Sequence, residues 1–341
     1  LNGTVSLLSI IFILHMKELM ITKNILNWYD LNKRSLPWRK KISFQKKQYY
    51  TLISEFMLQQ TQVTSVIPFF NNFIKDLPSI KSLAKVKEKK LIKLWEGLGY
   101  YSRARNLKKT AQIIIKKFDG KLPNNFEDLI TLPGIGNYTA NAILAIAFNK
   151  PYIPLDGNIE RVLKRYLYLK KEKEIQKDNL SQKKVIFGTS SRSSDYAQAL
   201  MELGAIICKP NNPICNQCPI KINCKSFRKK DFILTKNIKK NKEKYFVLKV
   251  YKKNQRYLLI KNTKFNFLKN LSIFPMQELS NPKNFNETLN FKMSNMNMNI
   301  KIQYSKDNQK FSSSYWLDRT KLDGYILPSF TKKVVRYLEK N

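Results

Sequence analysis

The fold turns on the segment LPGIGNYTANAILAIAF, residues 132–148. From residue 138 onward apolar side chains recur at helical spacing, and residues 124–131 form a shorter run of the same period. The two runs meet at Gly134-Ile135-Gly136. Glycines at both ends of so short a turn let the backbone fold back tightly. They also carry the unpaired N–H groups of the next helix's N-terminus up to an anion. The same turn serves any pair of packed helices, so its meaning depends on its surroundings.

Those surroundings are strongly basic. Lys and Arg number 63 against 24 acidic residues in a chain of 341, a net charge of +39. A general enrichment in Lys accounts for part of the excess, and the remainder favours a polyanionic partner, with DNA first. Set in such a chain, the glycine turn reads as a grip on DNA phosphate that ignores base sequence. The only histidine is His15, which excludes Ser-His-Asp hydrolysis and the histidine-dependent zinc enzymes. Acid–base chemistry here rests on carboxylates, Tyr, Lys or a metal.

Residues 16–225 read as nearly all helical. The helical period recurs in 49–62, 66–75, 80–95, 103–118, 124–131, 138–148, 157–169 and 173–207, with breaks at Pro and Gly positions including Pro68. The apolar opening, LNGTVSLLSIIFILH, is too short for a membrane span and reads as an extension over 1–15 that lies outside any domain. A basic linker follows at 226–243, and 244–341 reads as an α+β module with YFVLKV and RYLLIK as strands joined by a polar turn.

All four cysteines lie in CKPNNPICNQCPIKINC: Cys208, Cys215, Cys218 and Cys224. Such a cluster, with none elsewhere, is a metal-site pattern rather than a disulfide framework. Four thiolates hold either a tetrahedral zinc or a [4Fe–4S] cluster, and spacing leaves both open. A different oddity sits in ISEFMLQQTQV, residues 53–63, where Glu55 falls among Ile53, Phe56, Met57 and Leu58. It is either half-buried and paired with a lysine, or an acid kept protonated for chemistry.

The glycine hairpin, an aspartate downstream in PLDGNIERV and the C-x6-C-x2-C-x5-C run together resemble the helix-hairpin-helix DNA glycosylase superfamily, on its iron–sulfur branch. LPWR (36–39), SEFMLQQTQV (54–63), LWEGLGYYSRARNL (94–107), LDGNI (155–159) and LMELGAIIC (200–208) are similar to the MutY-type adenine DNA glycosylases. The resemblance runs through most of 24–225. It implies two helical domains with the active site in the cleft between them. A six-helix domain, 46–151, carries the hairpin, and an iron–sulfur domain joins 16–45 to 152–225. It implies a structural [4Fe–4S] cluster on Cys208, Cys215, Cys218 and Cys224, and Gly134 and Gly136 as the phosphate grip.

The resemblance also implies roles. Glu55 is the general acid that protonates an extruded adenine and later positions water. Asp156 steadies the sugar cation, and by its place in LDGNI it also suits a helix N-cap. Tyr138 and Asn158 orient Asp156 and the sugar. Arg34, Leu36, Trp38, Arg39, Gln198 and Met201 recognise the base, while Gln59, Gln60 and Tyr100 fill the gap and probe the opposite base. Arg103, Arg105, Lys108 and Lys109 are either phosphate contacts or solvated. Endonuclease III-type relatives carry a Schiff-base lysine just after the hairpin; Tyr138 stands there and cannot form an imine. The expected enzyme is therefore a monofunctional glycosylase removing adenine opposite 8-oxoguanine or guanine in double-stranded DNA. It is expected as a monomer, cytoplasmic and nucleoid-associated, with no membrane role. The rivals are a pyrimidine-lesion glycosylase of the endonuclease III type and a non-catalytic mispair binder.

The last module departs from the pattern. The family's counterpart is MutT-like (Nudix in ancestry) and reads 8-oxoguanine through a Phe-Ser-His type loop. The best match is FKMSNMNMNIKI, residues 291–302, with Asn295-Met296-Asn297 at the loop position and no histidine. The Nudix hydrolase motif is also absent. A degenerate module that hydrolyses no nucleotide, with relaxed 8-oxoguanine discrimination, is expected.

Overall fold

The computed structural model describes residues 7–169, 191–232, 241–280, 282, 285–293, 295–306, 311 and 313–340. Residues 1–6 of the expected extension over 1–15, 173–190 of the helical run at 173–207 and linker residues 233–240 lie outside the described residues. Two compact units result, one formed by residues 1–86 with 105–236 and the other by 87–104 with 237–341.

In the first unit, α1 (Leu7–Asn32) is one continuous helix that begins upstream of Met16, inside the stretch read as an extension. Ile21, Ile25, Leu26 and Tyr29 on α1 pack against Ile159, Val162, Leu163 and Tyr166 of α9 (Gly157–Leu167) and Leu200 and Leu203 at the end of α10 (Ser193–Glu202). α2 (Phe44–Leu58) is capped by Ser43 and runs through the interior, burying every residue from Thr51 to Met57. α3 (Val63–Asp76) holds Pro68 within it, where the sequence reading placed a break. As the sixth helical residue Pro68 removes the ladder bond to Thr64 and crowds that carbonyl, and the apolar face formed by Val66, Phe70 and Phe73 outweighs the cost. The periodic window 80–95 divides into α4 (Ile80–Lys85), in this unit, and α5 (Glu88–Leu94), in the second. α6 (Ser102–Lys117) leads to the hairpin, built from α7 (Phe126–Ile130) and α8 (Asn137–Ile146).

The second unit holds two sheets. β1 (Lys242–Val250) pairs antiparallel with β5 (Met276–Leu279) and parallel with β7 (Met296–Tyr304), whose other edge takes β6 (Leu289–Met293). β3 (Arg256–Lys261) pairs with β2 (Lys252–Lys253), β4 (Ser272–Ile273) and β8 (Ser314–Asp318) in the other. The two strands read as one hairpin thus belong to different sheets. Alternate residues Phe246, Leu248 and Val250 of β1 face Phe330, Val334 and Val335 of the C-terminal helix, α11 (Ser329–Lys340), in the core. Met293 pairs with Met296, so 291–302 is a tight hairpin. Met296 and Asn297, expected in a loop, are strand residues instead, and the Asn297 amide donates to Glu243 at 2.6 Å. The alternating apolar positions Met296, Met298 and Ile300 prefer the core face to a loop.

Segment 87–104 joins this unit through Glu96, which accepts from Lys93 (2.8 Å), Lys332 (2.8 Å) and the Leu327 N–H (3.2 Å). Burial raises its pKa, but these donors outweigh burial and the net shift is downward. Glu96→Ala should destabilise the protein by about 1–3 kcal/mol at neutral pH, with the deficit fading as acid protonates the wild-type carboxyl. Urea unfolding at two pH values measures it.

Candidate active site

A cavity of about 720 Å³ opens in the first unit, of a size that suits a flipped nucleobase. Three elements bring carboxyl chemistry to it. α2 supplies Glu55, only 4% exposed, with Oε2 buried and without a hydrogen-bond partner among the described residues. α8 supplies Tyr138, whose hydroxyl hydrogen-bonds Glu55. The N-terminus of α9 supplies Asp156, which caps the helix by accepting from the Ile159 N–H at 2.7 Å and from the Asn158 amide at 3.0 Å. Burial pushes the Glu55 carboxyl up to about 7; the Tyr138 hydrogen bond and Arg39 oppose the rise, and the negative charge of Asp156 adds to it. Burial likewise raises Asp156, against the pull of the Ile159 N–H and the Asn158 amide. The two acids thus differ: Glu55 has one orphan oxygen, whereas both oxygens of Asp156 hold donors.

Sequence reasoning missed Glu202. Wholly buried, it takes Arg34 in a two-point pair (2.7 and 2.9 Å) and Arg39 at 2.8 Å. The two arginines expected to meet a base are therefore anchored on the protein, which leaves the Arg39 Nε buried without a partner among the described residues. The signal was available: Glu202 in LMELGAIIC is a carboxylate inside an apolar run, as Glu55 is. Arg161 was also missed. It donates to Asn158 Oδ1 (2.8 Å) and to the carbonyls of Gly204 and Cys208 (2.7 Å each), tying the start of α9 to the cysteine segment.

Leu36, Trp38, Gln59, Gln60, Asn158, Gln198 and Met201 all line the cavity, as do Arg34 and Arg39. Gln60 is exposed at φ +56, while the Gln59 amide reaches back to the Gly134 carbonyl at 3.2 Å. Tyr100 does not line this cavity; it lies in the second unit at φ +47, with the Arg103 guanidinium 5.4 Å from its ring. Arg103 is 7% exposed and donates to the carbonyls of Leu98 and Gly99, so the expectation that it faces phosphate or solvent is corrected. Its aliphatic stem and planar head suit packing on Trp95 and Tyr100.

The hairpin keeps its two glycines for different reasons. Gly134 has φ +83, and a Cβ there would lie 2.9 Å from the Phe56 ring. Gly136 is the extended N-cap of α8 and offers no side-chain cap, so the first N–H groups of the helix stay open to an outside acceptor.

The four cysteine thiols line one small pocket with Arg165, Ile207, Pro213, Lys221, Phe227 and Phe232. Arg165 donates to the Cys208 sulfur at 3.5 Å. Burial pushes the Cys218 thiol up to about 12. Among the described residues no three cysteine, histidine or acidic side chains stand close enough to hold a single metal ion.

The described helices include none long and apolar enough to cross a membrane. Residues 53–185 match the HhH-GPD superfamily of base excision DNA repair proteins. A thermostable thymine-DNA glycosylase superposes with a TM-score of 0.56 at 27% identity, covering 63% of this chain and 98% of that one. An endonuclease III in a non-covalent DNA complex shares the fold at a TM-score of 0.52 and 21% identity, over 62% and 97% of the two chains. The fold is thus that of the helix-hairpin-helix base-excision glycosylases. An adenine DNA glycosylase of Buchnera aphidicola subsp. Baizongia pistaciae is 42% identical over 76% of this chain and 74% of its own, and that of Homo sapiens is 38% identical over 60% and 38%. The chain belongs to the adenine DNA glycosylase family and is an enzyme of base excision repair.

A carboxyl whose folded pKa stands near 7 against 4.5 unfolded contributes fully to stability below the lower value and loses that contribution as pH rises through the upper one. Glu55→Gln should therefore stabilise the protein at pH 8 by up to about 3 kcal/mol and by much less at pH 5, read by urea unfolding. Gly204 permits the close approach of α9, since a Cβ there would sit 2.6 Å from Asn158 Cβ and 2.9 Å from its carbonyl oxygen. Gly204→Ala should cost about 1–3 kcal/mol and lower adenine release beyond that loss, measured on the folded fraction.

Proposed function

We propose that the chain removes adenine mispaired with 8-oxoguanine or guanine by acid-catalysed hydrolysis, as a monofunctional glycosylase. The observation that carries the reading is Glu55, a buried carboxyl with an orphan oxygen on the cavity wall and a pKa raised to about 7. At neutral pH such a group still holds a proton to give. Adenine is a poor leaving group until N7 is protonated, and N7 is an acceptor beside the N6 amine. Glu55 donates to N7, and the carboxamide of Gln198 accepts from N6. Bond cleavage then leaves positive charge on the deoxyribose, which ionised Asp156 stabilises, its two donors opposing the upward pull of burial. Glu55, now ionised, takes a proton from the attacking water. The Tyr138 hydrogen bond favours the ionised Glu55 left after proton transfer, and Tyr138 offers no amine for a Schiff base. This favours adenine hydrolysis over an endonuclease III-type lyase, and the paired carboxyls favour an enzyme over a passive binder.

The N-terminus of α8 receives a phosphate of double-stranded DNA at Gly134 and Gly136, and Gln60 meets the bases around the gap. Cys208, Cys215, Cys218 and Cys224 hold a [4Fe–4S] cluster. An all-sulfur set of four thiols lining one pocket, with a guanidinium at one sulfur, is the donor set that an iron–sulfur cluster takes. The cluster's part is structural, ordering the segment around it. The second unit is the MutT-like module. Its hairpin at 291–302 has no histidine, which supports weak discrimination of 8-oxoguanine from guanine. The enzyme works as a monomer on nucleoid DNA in the cytoplasm.

In single-turnover assays adenine should leave duplexes opposite 8-oxoguanine and guanine and stay opposite cytosine, with the rate falling about tenfold per pH unit above pH about 7. Glu55→Gln should bind the mispair yet lose roughly 10²–10⁴ in rate. Borohydride should trap little enzyme on DNA. Strong trapping, or full activity in Glu55→Gln, defeats the mechanism. Analysis of the purified protein should return iron and acid-labile sulfide in equal amounts; zinc in their place defeats the cluster assignment.

A further inference from the structure

Lys47 and Ser194 stand behind the cavity wall and take no part in the reaction outlined above. Ser194 is 6% exposed in the first turn of α10. Its hydroxyl proton is committed to the Ile146 carbonyl at 2.9 Å, so toward every other neighbour the oxygen can only accept. Lys47 Nζ donates to that oxygen at 3.1 Å. Gln198, one turn along the helix, directs Nε2 at the Ser194 carbonyl (3.1 Å) and at the same hydroxyl oxygen (3.4 Å).

The donor and acceptor count allows one orientation of the Gln198 amide. Both atoms facing it from Ser194 are oxygens with no proton to give, so a flipped carboxamide would set oxygen against oxygen twice. Nε2 is therefore held toward Ser194, and Oε1 makes no hydrogen bond among the described residues. Gln198 is 8% exposed and lines the cavity, which makes Oε1 the acceptor that its carboxamide offers there.

We propose that Ser194, with Lys47 behind it, is a positioning pair that sets base specificity by locking Gln198 as an acceptor, so that the cavity selects purines carrying an amine at C6. This rests on the adenine reading above. Adenine presents N7 as acceptor and N6 as donor, matching protonated Glu55 beside Gln198 Oε1; hypoxanthine presents two acceptors at the same edge, as guanine does, and sets an oxygen against Oε1. The positive end of Lys47 matters because it occupies one lone pair of the Ser194 hydroxyl and holds the hydroxyl proton turned toward Ile146.

The test compares full-length wild type, Ser194→Ala and Lys47→Met in single-turnover release of adenine, hypoxanthine and unsubstituted purine, each opposite 8-oxoguanine. Both substitutions should lower adenine release about three- to tenfold, raise hypoxanthine release as the clash with Oε1 is relieved, and leave unsubstituted purine within about twofold, because it has no group for Gln198 to meet. Adding Gln198→Leu should erase the effect of either substitution. Equal losses on all three bases, or an unchanged effect in the Gln198→Leu background, would mean that the pair merely packs and overturns the lock. If Ser194→Ala fails to fold, the half-buried Lys47→Met decides by the same readout. A wild type that leaves adenine in place overturns the adenine reading and the lock with it. A wild type active on adenine whose preference no variant moves overturns the lock alone.

Discussion

A carboxyl group held out of water with one oxygen unpartnered is the constraint around which the first unit is organised. Burying Glu55 favours its neutral form, and the cost of its ionised form is what keeps a proton available near neutral pH. The surrounding structure maintains that condition. α2 is buried over a whole run, Gly134 brings the hairpin against Phe56 with no side chain between them, and Gln59 fastens the end of α2 to the same glycine's carbonyl. The hairpin proposed to grip phosphate and the helix carrying the acid are thereby one packed piece. The second acid sits at the start of α9, which Gly204 allows to come close at Asn158.

The charge of +39 overstates the surface offered to DNA. Several arginines serve the interior. Arg34 and Arg39 converge on buried Glu202, Arg103 closes the turn before α6, and Arg161 and Arg165 donate to carbonyls at the edge of the cysteine segment. A guanidinium is suited to these places because its several fixed donors can satisfy two or three carbonyls at once. In Arg165 four such bonds hold together stretches that have little regular structure of their own. Lysines dominate what remains outside, where a compact, well-hydrated charge is the more economical partner for phosphate.

The second unit shows the same chemistry used differently. Glu243 on β1 gathers the amides of Asn297 and Asn299 across the parallel pair, so the asparagines of the 291–302 hairpin are engaged along the strand. An acid and three amides in one network leave little there that resembles a loop free to wrap a base.

Local pattern settled a good deal of this protein. The glycine hairpin, the Asp156 cap, the carboxylates set in apolar runs, the lysine-free position at Tyr138 and the four grouped thiols are all legible in short stretches. Each depends on backbone geometry or residue chemistry within a few neighbours, and those are written in order along the chain. Other properties depended on distant residues meeting. Glu202 and Arg34 stand 168 positions apart, and no local period announces their pairing. Pro68 stays inside a helix because tertiary burial outweighs a lost bond and a crowded carbonyl, and 291–302 pairs as a hairpin because its apolar positions find a core. The pKa of Glu55 is of this second kind. Sequence names the acid, but desolvation is a property of everything packed around it, and only the folded chain supplies that.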